Sequence, residues 1–306
     1  MSDFLEKNVS LKEYNTMRID SVARYFLKAK DEEDLIKGVK YAKENKVPFL
    51  VIGGGSNIIF PKEYEGLVIL LAMEEYKIKE KEEEIILTAE AGVTLSDAAT
   101  LINQRMGRGL EWAGGVPGTI GGAIRGNAGA FNDFMMDCVS WVEALNTDNL
   151  EKENFNREEC RFDYRESIFK KNKNYIILRA EMSFTKKKED DKKLEEYLCY
   201  REDNHPEEPS SGSIFKNPVV TDEFYGTFKE AEKFKKMGFV PIKFLIEECG
   251  LKGEKRGGAK ISEKHANFII NEGNATGDDI KELIDLVKVK IKQRFDIDVF
   301  EEVEII

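Results

Sequence analysis

The sequence predicts an α+β protein in two parts: an N-terminal part to about residue 187 built of α/β units, and a smaller C-terminal α+β domain over 188–306. Three observations carry this. Toward the N-terminus, amphipathic helical stretches alternate with apolar strands that run into glycine turns. A highly charged run, TKKKEDDKKLEEY, then interrupts the pattern. Beyond it lie an apolar strand, a long helical stretch and a terminal strand. A chain of 306 residues suits two or three compact domains.

Asp31 can cap a helix that carries Leu35, Val39 and Ala42 on one face and ends near Asn45. VPFLVI follows as a buried strand and leads into GGGSN. Glu82 to Val93 reads as another strand, and Thr94 to Met106 as an amphipathic helix starting at a Thr or Ser cap. A second glycine block, AGGVPGTIGGAIRGNAGAF, precedes strands at Val139 to Asn146 and Tyr175 to Phe184. The charged run fits a solvated helix or a linker. After the loop HPEEPSSGS come a helix near Pro241 to Cys249, the apolar run ANFIIN, a helix from Asp278 to Phe295 and a strand from Val299 to Ile305.

The formal charge of −11 argues against a nucleic-acid partner, because phosphate backbones need a basic field. A small anionic ligand remains open, since a few cations and backbone amides suffice for it. No apolar run reaches the roughly 20 residues of a membrane-spanning helix, and the N-terminus lacks a signal core. A cytoplasmic protein without a membrane partner is the expectation. Cys138, Cys160, Cys199 and Cys249 form no CxxC pair and read as reduced thiols, mostly buried. With only His205 and His265, a multi-histidine metal site is not expected.

Five constellations carry candidate chemistry. GGGSN (Gly53, Gly54, Gly55, Ser56, Asn57) fits either a tight turn or an anion-binding nest. From Gly114 to Gly129 the chain holds seven glycines, more backbone freedom than a structural loop needs. Two such loops suggest a clamp on an extended ligand bearing a pyrophosphate. In CRFDYRESIFK the alternation of Cys160, Phe162 and Tyr164 reads as a strand, with Arg165 on its opposite face. That arginine is either a salt-bridging residue or a ligand contact. In SSGSIFKNP, Ser213 follows a glycine in a loop, as a cap or as a hydroxyl presented to a ligand. GGAKISEKHANFIIN pairs a close backbone approach with a buried strand.

Taken together, NTMRID, VIGGGSN, GLEWAGGVPGTIGGAIRGNAGAF, YRESIFK, SGSIFKNP, GLKGEKRGGAKISEKHANFIIN and the acidic end FEEVEII resemble the UDP-N-acetylenolpyruvoylglucosamine reductases, in the same order and over nearly the whole chain. The resemblance is to the shorter type, without an extra tyrosine-bearing loop. It implies an FAD-binding module of the vanillyl-alcohol oxidase type, made of two α/β subdomains, plus a C-terminal α+β substrate-binding domain. It also implies non-covalent FAD, NADPH as hydride donor and an enolpyruvyl UDP-sugar as substrate.

By motif, Arg165 would stabilise developing charge through the substrate carboxylate. Ser213 would donate the proton, and Glu302 would help to polarise the enol. FAD would be held by Gly53 to Asn57 and by Gly115, Pro117, Gly118, Thr119, Gly122 and Ile124. Tyr164, Lys216 and Asn217 would contact substrate. Four departures from the family pattern stand out: Glu304 replaces an arginine, Asn204 a basic residue, FNDF follows NAGA in place of a glycine, and the segment between Pro218 and Pro241 is longer. Two other readings remain: a different flavoenzyme on the same module, and a catalytically silent flavin or UDP-sugar binder. The glycine loops hold no His or Cys for the covalent flavin anchor of the first.

Overall fold

The computed structural model describes residues 4–189 and 191–306. The chain divides into two compact units. One comprises the N-terminal segment to Val9, Ala23–Gly55 and Tyr64–Asp203; the other comprises Ser10–Val22, Ser56–Glu63 and Asn204–Ile306.

Among the described residues the first unit holds two large sheets and one two-stranded hairpin, Gly129–Ala130 with Asp133–Phe134. Helix Glu32–Glu44 starts where Asp31 accepts the Asp34 N–H at 2.8 Å. Its Leu35, Val39 and Ala42 are buried, as their spacing requires. Strand Phe49–Ile52 runs parallel to Glu63–Leu71, with Ile52 opposite Leu70, inside a four-stranded sheet completed by Glu6–Ser10 and Val22–Ala29. The second sheet is antiparallel, in the order Lys152–Asn156, Val139–Asn146, Tyr175–Lys186, Glu84–Glu90, Tyr76–Glu80, and Gly107–Arg108 also pairs with Tyr175–Lys186. Thr94 caps helix Leu95–Asn103. One continuous core joins Leu35, Leu67 and Ile69 to Leu87, Val142, Met182, Trp112 and Ile120.

The charged run is in part the solvated helix expected of it, since helix Lys193–Asn204 buries only Leu194, but its start departs from that reading. Its first residues extend strand Tyr175–Lys186, and Lys193–Asn204 forms a helix belonging to this unit, so the unit continues past residue 187 to Asp203. Lys187 is buried, its side chain 1% exposed. It is held there by ion pairs to Glu111 at 2.8 Å and Asp191 at 3.0 Å and by a hydrogen bond to Asn103. Three oxygen partners offset the desolvation that otherwise keeps lysine at the surface. Cys138 and Cys160 are buried thiols, and burial pushes both up to about 12. Cys199, by contrast, is exposed.

The second unit is a four-stranded antiparallel sheet, ordered Ser210–Ser213, Phe268–Asn271, Ala259–Ile261, Lys255–Arg256, with helices Ile242–Glu248 and Gly277–Phe295. Thr276 and Asp279 form a reciprocal capping box at the start of the long helix. Ile280, Leu283, Ile284, Val287 and Ile291 of that helix pack with Leu245, Ile246, Ile261 and Ile269. Asn15 closes the NTMRID loop by accepting the Ile19 N–H and donating to the Leu11 and Ile19 carbonyls. The expected terminal strand is mostly absent: only Glu304–Ile305 is a strand, parallel to Ile58–Ile59, and Glu301 makes a single bridge to Phe215. Bends at Glu302 and Val303 break the extension. The segment between Pro218 and Pro241 folds into helix Asp222–Thr227 and the 3₁₀ turns of Lys229–Met237.

Candidate active site

The glycine segments meet backbone to backbone in the first unit. Strand Phe49–Ile52 delivers Gly53, Gly54 and Gly55. The second block runs from Gly114 into helix Ile120–Arg125, whose cap Thr119 accepts from the Gly122 N–H. A Cβ on Gly54 would lie 2.8 Å from the Gly118 Cα, and one on Gly53 would lie 2.3 Å from Thr119 Oγ1. Gly55, Gly115 and Gly118 have φ of 59°, 72° and 113°, conformations that side chains resist. With no side chain between them, the two loops offer amide groups as a cradle, which is what a dinucleotide pyrophosphate requires. These residues fit such a group. Ile124 is fully buried within helix Ile120–Arg125 and its carbonyl accepts the Asn127 N–H, so its side chain belongs to the core. Ser56 and Asn57 continue the first loop but belong to the second unit.

Arg165 sits at a turn, not on the strand that alternation suggested. Asp163 and Glu166 bridge each other, Tyr164 and Arg165 form the tip, and Arg165 has φ 56°. The cause is local turn chemistry. Asn156 Oδ1 accepts the N–H groups of Glu158 and Glu159, and Cys160 N–H closes on the Asn156 carbonyl, so the chain curls before a strand can form. The left-handed conformation costs on the order of 1–2 kcal/mol for a residue with a side chain. Surrounding contacts hold it. Lys170 Nζ donates to the Arg165 carbonyl at 3.0 Å, and Arg165 Nη2 donates to the Gly129 carbonyl at 2.7 Å. The guanidinium also lies over the rings of Tyr164 and Phe134.

The glycine block and this turn are tied together by residues that the motifs did not single out. Asn127 is buried with φ 41°, donates to the Asp163 carbonyl at 2.8 Å and accepts the Met136 N–H at 3.0 Å. Ser167 Oγ donates to the Arg125 carbonyl at 2.7 Å. The signal for Asn127 was present: asparagine is the residue after glycine that best tolerates positive φ, and it stands inside a glycine run.

In the second unit Ser213 ends strand Ser210–Ser213, opposite Phe268, rather than lying in a loop. A bulge at Gly212, φ 75°, separates it from the regular pairing and re-aims the chain. Just beyond, Asn267 mimics a strand partner. Its Oδ1 accepts the Phe215 N–H and its Nδ2 donates to the Phe215 carbonyl, both at 3.0 Å. Ser213 and Glu302 are brought together through the main chain, because the Glu302 N–H donates to the Ile214 carbonyl at 2.8 Å. Lys216 N–H donates to the Phe300 carbonyl at 2.9 Å. Asn217 Oδ1 accepts the Ile242 N–H at 3.0 Å, so it also holds the start of helix Ile242–Glu248.

Both histidines stand beside this strand pair, their rings 4.8 and 4.9 Å from Phe268. Burial, reinforced by Lys243, His205 and Lys252, holds His265 down at about 4, so it is neutral at pH 7. Arg165 and Tyr164 belong to the first unit; Ser213, Lys216, Asn217 and Glu302 belong to the second. Among the described residues no helix is long and apolar enough to cross a membrane.

Residues 204–306 match the family model for the C-terminal domain of UDP-N-acetylenolpyruvoylglucosamine reductase, and residues 23–149 match that for an FAD binding domain. The chain is 37% identical to the UDP-N-acetylenolpyruvoylglucosamine reductase of Chloroherpeton thalassium, over 98% of this chain and 92% of that protein. With the enzyme of the same name from Francisella tularensis it shares 33% identity over 97% and 99%. The crystal structure of UDP-N-acetylenolpyruvylglucosamine reductase from Thermus caldophilus superposes with a TM-score of 0.78 at 27% identity, covering 98% of each chain.

Proposed function

This chain belongs to the UDP-N-acetylenolpyruvoylglucosamine reductase family, and from that premise we propose that it reduces the enolpyruvyl group of UDP-N-acetylglucosamine enolpyruvate to give UDP-N-acetylmuramate, using FAD and NADPH. The reaction belongs to peptidoglycan precursor synthesis, in the cytoplasm, and the enzyme acts as a monomer. When bound, FAD supplies two-electron hydride chemistry, accepting from NADPH and delivering to the substrate methylene carbon. The glycine loops would hold its pyrophosphate through backbone amides.

The residues' work begins with the charge that hydride addition leaves next to the substrate carboxylate. The planar guanidinium fork of Arg165 matches a carboxylate. It stabilises the developing enolate through that group. Glu302 helps to polarise the enol. Ser213 then gives its hydroxyl proton to the neighbouring carbon, the one that bears the carboxylate, which is basic enough to take it although serine is a weak acid in water. Tyr164, Lys216 and Asn217 orient the substrate.

The observation that supports this reading best is the 2.8 Å bond from the Glu302 N–H to the Ile214 carbonyl, which fixes the carboxylate's residue beside the serine strand. Anaerobic mixing tests it. NADPH should bleach the bound flavin, and the enolpyruvyl substrate should restore its colour with one product formed per flavin. A flavin that NADPH reduces but this substrate leaves reduced would point to another acceptor and refute the assignment.

A further inference from the structure

Strands Gly129–Ala130 and Asp133–Phe134 form a short hairpin joined by Phe131 and Asn132, with φ of 55° and 70°. A two-residue turn with both φ positive is the type that Asn-Gly favours, and a phenylalanine at its first position is strained. Glycine would satisfy this turn freely, so the phenyl ring is retained for what it touches. It stacks on Tyr197 with centroids 4.0 Å apart and planes 5° from parallel. Tyr200 meets it edge-on at 5.3 Å, and the Arg201 guanidinium lies 5.2 Å from its centre. All three partners come from helix Lys193–Asn204, which Arg201 fastens by donating to the Trp112 carbonyl at 2.6 Å.

The other end of the hairpin is the platform under Arg165. The Gly129 carbonyl accepts from Arg165 Nη2 at 2.7 Å, and the Phe134 ring lies 5.9 Å from the guanidinium carbon. No side chain fits at Gly129, because a Cβ there would come within 2.4 Å of the Asp133 carbonyl oxygen and of Phe134 Cδ1. A two-rung hairpin thus runs from the aromatic stack to the arginine. We propose that Phe131, clamped by Tyr197, is a positioning residue that sets the direction of the Arg165 guanidinium toward the substrate carboxylate. This rests on the reductase reading given above.

The test uses the holoenzyme and two ligands that differ in the carboxylate. Product UDP-N-acetylmuramate carries it and UDP does not. Phe131→Gly, which keeps the turn and removes the ring, should weaken product binding by about tenfold in calorimetry and slow flavin reoxidation by the enolpyruvyl substrate by about as much, the scale of a small misplacement of a reacting group. UDP affinity and flavin reduction by NADPH should stay within about twofold, and Tyr197→Phe, which keeps the stack, should behave as wild type. Phe131→Leu, bulky but unable to stack, should follow Phe131→Gly. In an Arg165→Lys background Phe131→Gly should add less than about twofold, because both changes act through one group. Additive losses in that background, or equal weakening of UDP and product, would overturn the proposal. Variants equal to an active wild type would remove it alone, whereas a wild type that binds neither ligand would remove the reductase reading with it.

Discussion

Asn57 donates from its side-chain Nδ2 to the Glu302 carbonyl at 3.1 Å, and the Glu304 N–H returns a 3.0 Å bond to the Asn57 carbonyl. The last residue of the first glycine loop thus fixes the backbone that carries the proposed polarising carboxylate. Strand Glu304–Ile305 alongside Ile58–Ile59 continues the same tie.

Asn57→Ala removes one arm of that tie. A neutral hydrogen bond is worth about 0.5–1.5 kcal/mol net, so the substrate half-reaction should slow by about 3- to 10-fold while NADPH still reduces the flavin normally. Asn57→Asp should be worse than Ala, because an ionised carboxylate would face the Glu302 carbonyl acceptor to acceptor. Rapid mixing of each half-reaction decides. Matching losses in flavin affinity and in both half-reactions would mean that the Asn57 side chain, and not only its backbone, serves the cofactor.

Ser213 stands at a strand end beside a bulge, opposite Phe268, with the following residues pinned by Asn267. Its removal should therefore leave the fold intact. Ser213→Ala should retain FAD and the NADPH half-reaction but lose roughly 10²–10⁴-fold in flavin reoxidation, the usual worth of a positioned acid. Ser213→Cys should recover part of that loss, a thiol being the better acid. A serine that merely capped the turn would give small, similar losses in both half-reactions and a lowered melting temperature. Normal reoxidation in the Ala variant would take Ser213 out of the mechanism.

Regular elements were legible where side-chain period and capping agreed. The helix after Asp31, the helix after Thr94 and strand Val139–Asn146 were readable because one buried face repeats and a capping oxygen or turn marks the start. Legibility failed where a local hydrogen bond outweighed alternation. Cys160 to Tyr164 alternates like a strand, yet Asn156 folds the chain into a turn and leaves Arg165 at positive φ. Lys187 was hidden for a different reason: inside a run of charges, nothing local distinguishes the one lysine whose partners, Glu111 and Asn103, lie some eighty residues earlier. The glycine cradle was visible as composition. Only the fold put Gly54 against Gly118.

His265 gives the protein a pH dependence of known sign. Burial, then Lys243, His205 and Lys252, lowers it from 6.5 to about 4, and its Nδ1 has no hydrogen-bond partner among the described residues. Between these values the unfolded chain binds a proton that the folded protein refuses. Stability should therefore be undiminished above about pH 6.5 and fall as the pH drops toward 4, by up to ~3 kcal/mol. Carboxylates with lowered values, such as Glu272, add loss in the same direction but only at lower pH. The difference in melting temperature between wild type and His265→Asn, followed from pH 7 to 4.5, isolates the histidine. A difference that stays constant over that range would mean that the imidazole titrates normally.

Lys187 and Glu111 form a buried ion pair, their side chains 1% and 5% exposed, three residues before Gly114 opens the second glycine block. The Glu111 carboxylate also accepts the Gly109 N–H at 2.7 Å, so it anchors the turn that leads into the cradle. Lys187→Met keeps the bulk but strands a buried carboxylate, which typically costs about 3–5 kcal/mol. In a unit of this size that corresponds to a drop in melting temperature of roughly 10 °C. Adding Glu111→Gln should recover much of the loss, because no unpaired charge remains. Burial works against the Lys187 charge, but its bonds to Glu111 and Asp191 outweigh that and raise its pKa above 10.5. Its contribution is accordingly complete below that value and lost only as the pH climbs through the raised one, so the penalty of Lys187→Met should be the same at pH 7 and pH 9. Loosening of the turn should also weaken FAD retention on dilution. Unchanged melting and flavin content in Lys187→Met would show that the Glu111 carboxylate does not depend on Lys187 and would overturn this assignment.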